Sequence, residues 1–302
     1  MKTIVLSSKN YDNQSTNYGD CILIINKNEM VVYDCGHEEH AKRVEAIMKK
    51  EGITKAIGVL SHNDSDHFLG FIKLIEDEAV DYIYTICALK YVDEIKEACN
   101  DNRITRESVK RHLTEKFDNI AQLSGHIKNI YLDDSHDLIA EEIIPGIKFI
   151  APEFDFAIDV IAKAIKTTVS DSYGDETTMN AASVCLLASS NHKTLLLTGD
   201  SIFENFENHL DDLTYIQAPH HGRRSQIEKI KNYYNENCCT NPPKFIISDN
   251  TGDSNGGCKD YRLLKGFAYS TTDDGDILIK FELESDKKDN IKTLGIDLCK
   301  FF

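Results

Sequence analysis

The sequence predicts an α/β protein: a four-layer αββα sandwich with a helical insertion. Three observations predict it. Short apolar runs of strand length end repeatedly in His or Asp. Runs of helical spacing lie between them in the first half of the chain. The second half repeats the strand pattern, so two sheets would bring their carboxyl ends to one place, with helices outside.

Asp20-Cys21-Ile22-Leu23-Ile24-Ile25 reads as a strand after the turn Asn17-Tyr18-Gly19, and Met30 to Gly36 as its hairpin partner across Asn26-Lys27-Asn28-Glu29. His40 to Glu51 has helical periodicity, with Val44, Ile47 and Met48 on one face and Gly52 as its stop. Ala56 to Leu60 is an apolar strand, and Phe68 to Ile75 has helical spacing. Ile83 to Ala88 is a further strand. Val92 to Ile130 is polar and helical in pattern, with no proline and Gly125 its single glycine, and is taken as an insertion. Strands resume at Ile147–Ala151, Ser183–Ala188, Thr194–Thr198, Leu213–Gln217, Phe245–Ser248 and Ile277–Phe281. The nearly continuous apolar character of Thr194–Thr198 suits a strand covered on both faces. Asp249 to Gly257 is rich in Asp, Asn, Ser and Gly and reads as a loop. No linker divides the chain, so residues 1–302 are expected to form a single domain, with the helical insertion at about 92–130.

Hydrophobic residues make up 41% and charged residues 28%, an ordinary composition for a chain that buries a core. The formal charge of −16 speaks against a broad phosphate-gripping surface. The amino terminus is too poor in apolar residues for a signal peptide, and no apolar stretch is long enough to span a membrane. The nine cysteines form no C-x-x-C pair, which suits reduced thiols and a cytoplasmic location. The oligomeric state stays open.

The most informative segment is Ser61-His62-Asn63-Asp64-Ser65-Asp66-His67. It sets two imidazoles and two carboxylates in a loop between a strand and a helix. Mixed His and carboxylate ligands suit a divalent transition ion such as Zn or Mn. Further candidates stand at later strand ends: Asp200 after Leu195–Thr198, and His220 or His221 in Pro219-His220-His221-Gly222. Neighbouring residues on a strand point to opposite faces, so one of His220 and His221 is expected to ligate.

In this order the motifs resemble the metallo-β-lactamase superfamily, whose H-x-H-x-D-H signature becomes H-x-D-x-D-H here. They are most similar to the soluble metallo-β-lactamase-like domain of ComEC-type competence proteins. The matching pieces are Ser61 to His67, Asn180-Ala181-Ala182-Ser183, Leu196-Leu197-Thr198-Gly199-Asp200 and Pro219 to Gly222. The early Tyr18-Gly19-Asp20 and Tyr33-Asp34-Cys35-Gly36, and the late Thr272 to Ile277, also look like that branch. The likeness runs from about residue 18 to 282, without the stretch near 92–130, and the late N-x-x-x-H-P element of the branch is absent. Asn180 stands where many superfamily members supply a third histidine.

The resemblance implies a four-layer metallo-β-lactamase-like fold holding two divalent ions, Zn or Mn. His62, Asp64 and a candidate Asn180 would serve one ion. Asp66, His67 and one of His220 and His221 would serve the other, with Asp200 bridging. Asp66 and Asp200 are the candidate catalytic residues. Two ions about 3.5–4 Å apart can share a hydroxide and make it nucleophilic near neutral pH. Arg223, Arg224 or Lys259 could add charge against a phosphate, though the plainer reading of either arginine is a solvated surface side chain. Asp20 and Asp34 are expected to orient ligands. His37, His40, His112, His126, His136, His192 and His209 lie off the pattern and read as surface or structural. The implied activity is a phosphodiesterase or nuclease acting on a nucleotide or short nucleic acid. The alternatives are a hydrolase of a lactone, thioester or β-lactam, and a non-catalytic regulatory or immunity partner that keeps the fold.

Overall fold

Ile22 and Ile24 turn to one side of their strand and Leu23 and Ile25 to the other, and all four are buried, in two different cores. A strand covered on both faces lies inside a layered molecule, and that alternation sets the architecture. The structure, a computed structural model, describes residues 1–13, 15–123, 125–166, 172–173, 176–237, 241–248, 268–281 and 291–294.

In chain order the first half comprises β1 (Lys2–Val5), β2 (Cys21–Asn26), β3 (Glu29–Cys35), α1 (Glu38–Glu51), β4 (Ala56–Val59), α2 (Ser65–Glu76) and β5 (Val80–Thr85). It continues with α3 (Val92–Cys99), α4 (Arg106–Phe117) and β6 (Ile127–Asn129). The second half opens with β7 (Ile147–Ala151), α5 (Phe154–Lys166), the short pair β8 (Ser172–Tyr173) and β9 (Glu176–Thr177), and α6 (Thr178–Ala181). Then come β10 (Cys185–Ser190), β11 (Lys193–Leu197), α7 (Phe203–Phe206), β12 (Tyr215–Gln217), α8 (Pro219–Gly222) and α9 (Arg224–Glu236). The last elements are β13 (Lys244–Ile247), β14 (Ala268–Ser270), α10 (Thr271–Asp274), β15 (Asp276–Lys280) and β16 (Ile291–Leu294).

One sheet has eight strands in the order β16-β15-β1-β2-β3-β4-β5-β6 and the other six, β14-β13-β12-β11-β10-β7. Strands β3 to β6 run parallel, as do β11 to β14. Parallel neighbours place several carboxyl ends on one edge, which is where the loops described below emerge. Between the sheets, Ile22, Ile24, Val31 and Tyr33 meet Phe149, Leu186, Leu195 and Leu197. Outside the first sheet, Leu23 and Val32 pack on Val44 and Ile47 of α1 and on Phe68 and Phe71 of α2. Outside the second, Leu196, Ile216 and Phe245 pack on Phe206 of α7 and on Ile227 and Ile230 of α9. Helix, sheet, sheet and helix are thus the four layers. Each large aliphatic or aromatic side chain buried this way contributes about 1.5–3 kcal/mol.

The elements follow the sequence pattern in outline, but β1, β14 and β16 are not among the strands read from the sequence, and three further differences stand out. The stretch expected as a helical insertion does carry α3 and α4, but it also supplies β6, an edge strand parallel to β5. Val92, Ile95, Val109 and Leu113 join the core between the sheets, so these helices are built into the molecule. The strand expected at Ile83–Ala88 begins at Val80 and ends at Thr85. Helices α5 and α9 were not anticipated, although Ile158, Ile161 and Ile165 in the first, and Ile227, Ile230 and Tyr234 in the second, keep helical spacing.

Polar contacts join the sheets beside the site. The Tyr33 hydroxyl donates to the Val184 carbonyl at 2.7 Å, and the Val184 N–H donates to the Ser61 carbonyl at 2.9 Å. Deep on the α1 side, Arg43 pairs with Asp276 and donates to the Ser7 carbonyl at 2.8 Å, tying α1 to β15. Among the described residues no helix is long and apolar enough to cross a membrane.

Candidate metal centre

The Ser61–His67 segment leaves the end of β4 and enters α2, with Asp64 at the helix N-cap and Asp66 in its first turn. Carboxylates are favoured there by the helix dipole. The segment is held from β3. Asp34 accepts from the Ser61 N–H at 2.7 Å and, through its other oxygen, from the Ser61 hydroxyl at 2.7 Å. That second oxygen also faces His67 Nδ1 at 2.8 Å. Since the Ser61 hydroxyl proton goes to Asp34, its oxygen accepts from His62 Nδ1, 2.9 Å away. Asp34 therefore fixes His67 directly and His62 through Ser61, and leaves Nε2 of both rings as the free acceptor.

The second sheet supplies the opposite side. Gly199 and Asp200 follow β11, and Gly199 must lack a side chain. Its φ is +54°, and a Cβ there would lie 2.7 Å from Ser61 Cβ. Gln217 of β12 accepts from the N–H groups of Thr198 and Gly199, both at 3.1 Å, and donates to Asp20 at 2.9 Å. His220 (φ 48°, ψ 61°) and His221 (φ 54°, ψ 25°) both take the left-handed conformation in α8. Consecutive residues bent this way do not alternate as on a strand. The expectation that one of the two would point away is corrected: Nε2 of His220 lies 3.6 Å, and Nε2 of His221 3.7 Å, from Asp200 Oδ2.

All four imidazoles converge on that oxygen, with His67 Nε2 at 3.5 Å and His62 Nε2 at 3.9 Å. Asp64 Oδ2 is 3.5 Å from His62 Nε2, and Asp66 Oδ2 is 3.5 Å from His221 Nε2. On the far edge of each ring Nδ1 is engaged. His221 Nδ1 faces Asp20 at 3.1 Å and the Ser248 carbonyl at 2.9 Å, and His220 Nδ1 faces Glu176 at 2.7 Å. The near edge is the opposite. His62 Nε2, His67 Nε2, His221 Nε2 and Asp200 Oδ1 are buried and make no hydrogen bond. An unmade bond of a buried polar atom costs about 1–3 kcal/mol, so four in one spot call for a shared partner. Three overlapping donor sets fit a cation: His62, His67 and Asp200; Asp66, His67 and His221; Asp20, Asp200 and His221.

The electrostatics agree. Burial alone would raise the Asp200 carboxyl, but the His221, His67 and His220 rings outweigh it and hold the group well below the usual carboxylate range. Burial opposes ionisation of Asp66 too, and His67 and His221 overcome it and lower that carboxyl. In turn burial disfavours charge on His67 and His221, yet Asp200 first among the carboxylates pushes both well above the ordinary imidazole value. A pocket so rich in carboxylate takes up positive charge.

The remaining predicted residues divide. Asn180 sits in α6, where its Oδ1 accepts from the Thr177 hydroxyl at 2.6 Å; the cluster forms without it. Arg223 faces Glu176, Nε to Oε1 at 2.9 Å, and so does not stand free as a phosphate clamp. Arg224 pairs with Glu228 one turn along α9, on an exposed face. Lys259, the loop Asp249–Gly257 and the pair Cys238-Cys239 lie outside the described residues. Asn17 and Glu176, like Gln217, escaped the sequence reading as participants. Asn17 donates to Asp66 Oδ2 at 2.7 Å, and Glu176 holds His220. Asn17 could have been found from its place beside the Tyr18-Gly19-Asp20 turn; Glu176 lies in a polar stretch with no pattern. Asp64, whose side chain is 47% exposed, Asp66, at 15%, and His220, at 13%, mark the open side of the site.

No protein-family model and no curated protein matches this chain. Among solved structures, it is similar to human tRNase Z, short form, at 11% identity over 94% of this chain and 100% of that one, with a TM-score of 0.48. It is similar also to Tm1679, a metal-dependent hydrolase of the β-lactamase superfamily, at 12% identity over 89% and 96% of the two chains, TM-score 0.47. The metallo-β-lactamase fold protein YhfI from Bacillus subtilis matches at 13% identity over 72% and 70%, TM-score 0.36. Likenesses at this level say nothing of a substrate.

Proposed function

We propose that this chain is a metal-dependent hydrolase of phosphodiesters, acting on nucleotides or short nucleic acids. The observation that carries the reading is the set of unsatisfied buried atoms, His62 Nε2, His67 Nε2, His221 Nε2 and Asp200 Oδ1, gathered at the Asp200 carboxylate. In this reading His62, Asp64 and His220 hold one divalent ion, Asp66, His67 and His221 hold a second, and Asp200 serves both. Nitrogen and carboxylate donors in this mixture suit Zn or Mn. Such ions supply Lewis acidity and a nucleophilic oxygen at neutral pH.

The chain's own contribution is orientation. Asp34 keeps the protons of His67 and, by way of Ser61, of His62 on Nδ1, so that both rings present a lone pair to the centre. Asp20 does the same for His221 while Gln217 holds its other oxygen. Asn17 pins one oxygen of Asp66. The substrate side is the rim at Asp64, Asp66 and His220, the most exposed members of the set. Phosphodiesters are favoured over carboxylic substrates by the H-x-D-x-D-H loop and by the resemblance of the flanking motifs to the ComEC-type branch. A formal charge of −16 limits a nucleic acid to local contact with the ions and the rim.

The test is metal analysis of purified protein alongside hydrolysis of bis(p-nitrophenyl) phosphate, single-stranded DNA, RNA and cyclic nucleotides. Bound divalent metal and diester cleavage lost in Asp66→Ala and Asp200→Ala support the reading. Turnover of a lactone or cephalosporin without diester cleavage would overturn it.

A further inference from the structure

The geometry points to Glu176 as a positioning residue for His220, an assignment that rests on the proposed metal centre and goes beyond it. The Glu176 side chain is 1% exposed, on the two-residue strand β9. Its Oε2 accepts from His220 Nδ1 at 2.7 Å. Its Oε1 faces Arg223 Nε at 2.9 Å. A carboxylate this deeply buried is retained where charged partners neutralise it: Arg223 supplies the charge and His220 bonds Oε2, while Oε1 makes no hydrogen bond. The next residue, Thr177, caps α6 by accepting from the Asn180 N–H at 3.2 Å, which fixes the turn that carries Glu176.

His220 has particular need of such a partner. It is the most exposed of the four rings, and it sits on left-handed backbone within the short element α8. The other three imidazoles have Nδ1 tied to Ser61, Asp34 or Asp20. Glu176 completes that series from a different element. It holds the proton on Nδ1 and turns Nε2 toward Asp200, and Arg223 offsets its charge so that it does not repel Asp200.

The experiment uses the full chain with Zn²⁺ and Mn²⁺ as probes, in competition with a calibrated chelator. Wild type is compared with Glu176→Gln, Glu176→Asp and Glu176→Ala, each also in a His220→Ala background. Glu176→Ala is expected to weaken one of the two bound ions by about 10–100-fold, with Glu176→Asp recovering part of the loss. In His220→Ala the same substitutions should add nothing, and ring nitrogen shifts should show His220 losing its Nδ1–H form in Glu176→Ala. Should Glu176→Ala fail to fold, the isosteric Glu176→Gln carries the comparison. Unchanged metal affinity, or an equal further loss in the His220→Ala background, overturns the positioning role alone. A wild-type chain that binds neither ion overturns the metal centre and this role together.

Discussion

The loop Ser61–His67 and the turn Pro219–Gly222 each bring two imidazoles to Asp200, by different means. In the first, the rings are spaced along a strand-to-helix loop and locked by one buried carboxylate, Asp34. In the second, adjacent residues are forced into left-handed backbone so that both rings face the same way, and each leans on its own carboxylate, Asp20 or Glu176. Left-handed non-glycine residues cost of order 1–3 kcal/mol each. The first arrangement concentrates its support in a single residue; the second stores strain and spreads its support over two elements. Damage to one support should therefore be worse on the first side than on the second.

Asp200 is common to both sides, so its removal should have the largest effect. Asp200→Ala is expected to reduce diester hydrolysis to background and to abolish the dependence of the melting temperature on added chelator, read by scanning calorimetry. Asp34→Asn comes next. It disturbs His67 and, through Ser61, His62, and should lower metal affinity by about 100-fold in a chelator competition. Asp20→Asn disturbs one imidazole, His221, together with the Gln217 contact, and should cost nearer 10-fold in the same assay; equal losses in the two variants would erase the contrast between the sides.

Two further outcomes concern stability. Gly199→Ala sets a methyl against Ser61 in an unfavourable backbone region and should cost about 2–5 kcal/mol, measured by urea unfolding. His40 gives a smaller, pH-dependent effect and a foil to the site. Burial first, then Arg43 and His37, pull its imidazole down to about 3, whereas the centre's carboxylates raise theirs. Below the ordinary value of 6.5 the unfolded chain binds a proton at His40 that the folded chain refuses until about 3. Its contribution to stability is therefore present at pH 7 and falls as pH drops through that window, by about 2 kcal/mol at pH 5. His40→Leu should flatten the urea midpoint between pH 7 and pH 4; an unchanged slope would show that another group carries the acid sensitivity.

The first side was legible in the sequence, since the His62–His67 spacing and the apolar run ending at Asp200 are local patterns. The second side was legible only as a motif. Alternation on a strand was the wrong geometry for His220-His221, because two consecutive left-handed residues have no signature in residue type. Glu176 was hidden for a different reason: it meets His220 across 44 positions from an irregular polar stretch. Edge strand β6, three residues long, falls below the length at which a period can be read, so the region around it looked wholly helical. The spacing of α5 and α9, by contrast, is present in the sequence, at Ile158, Ile161 and Ile165 and at Ile227, Ile230 and Tyr234.

Tyr33 reaching across to Val184, and Ser61 receiving the Val184 N–H, place a seam between the two sheets beside the imidazoles. Donors from either bank are useless until that seam closes. A cation seated there would act as a rivet, and its binding energy would become adhesion between the halves. Loading the protein would then be the last act of its folding, and stripping it the first step in prying the layers apart.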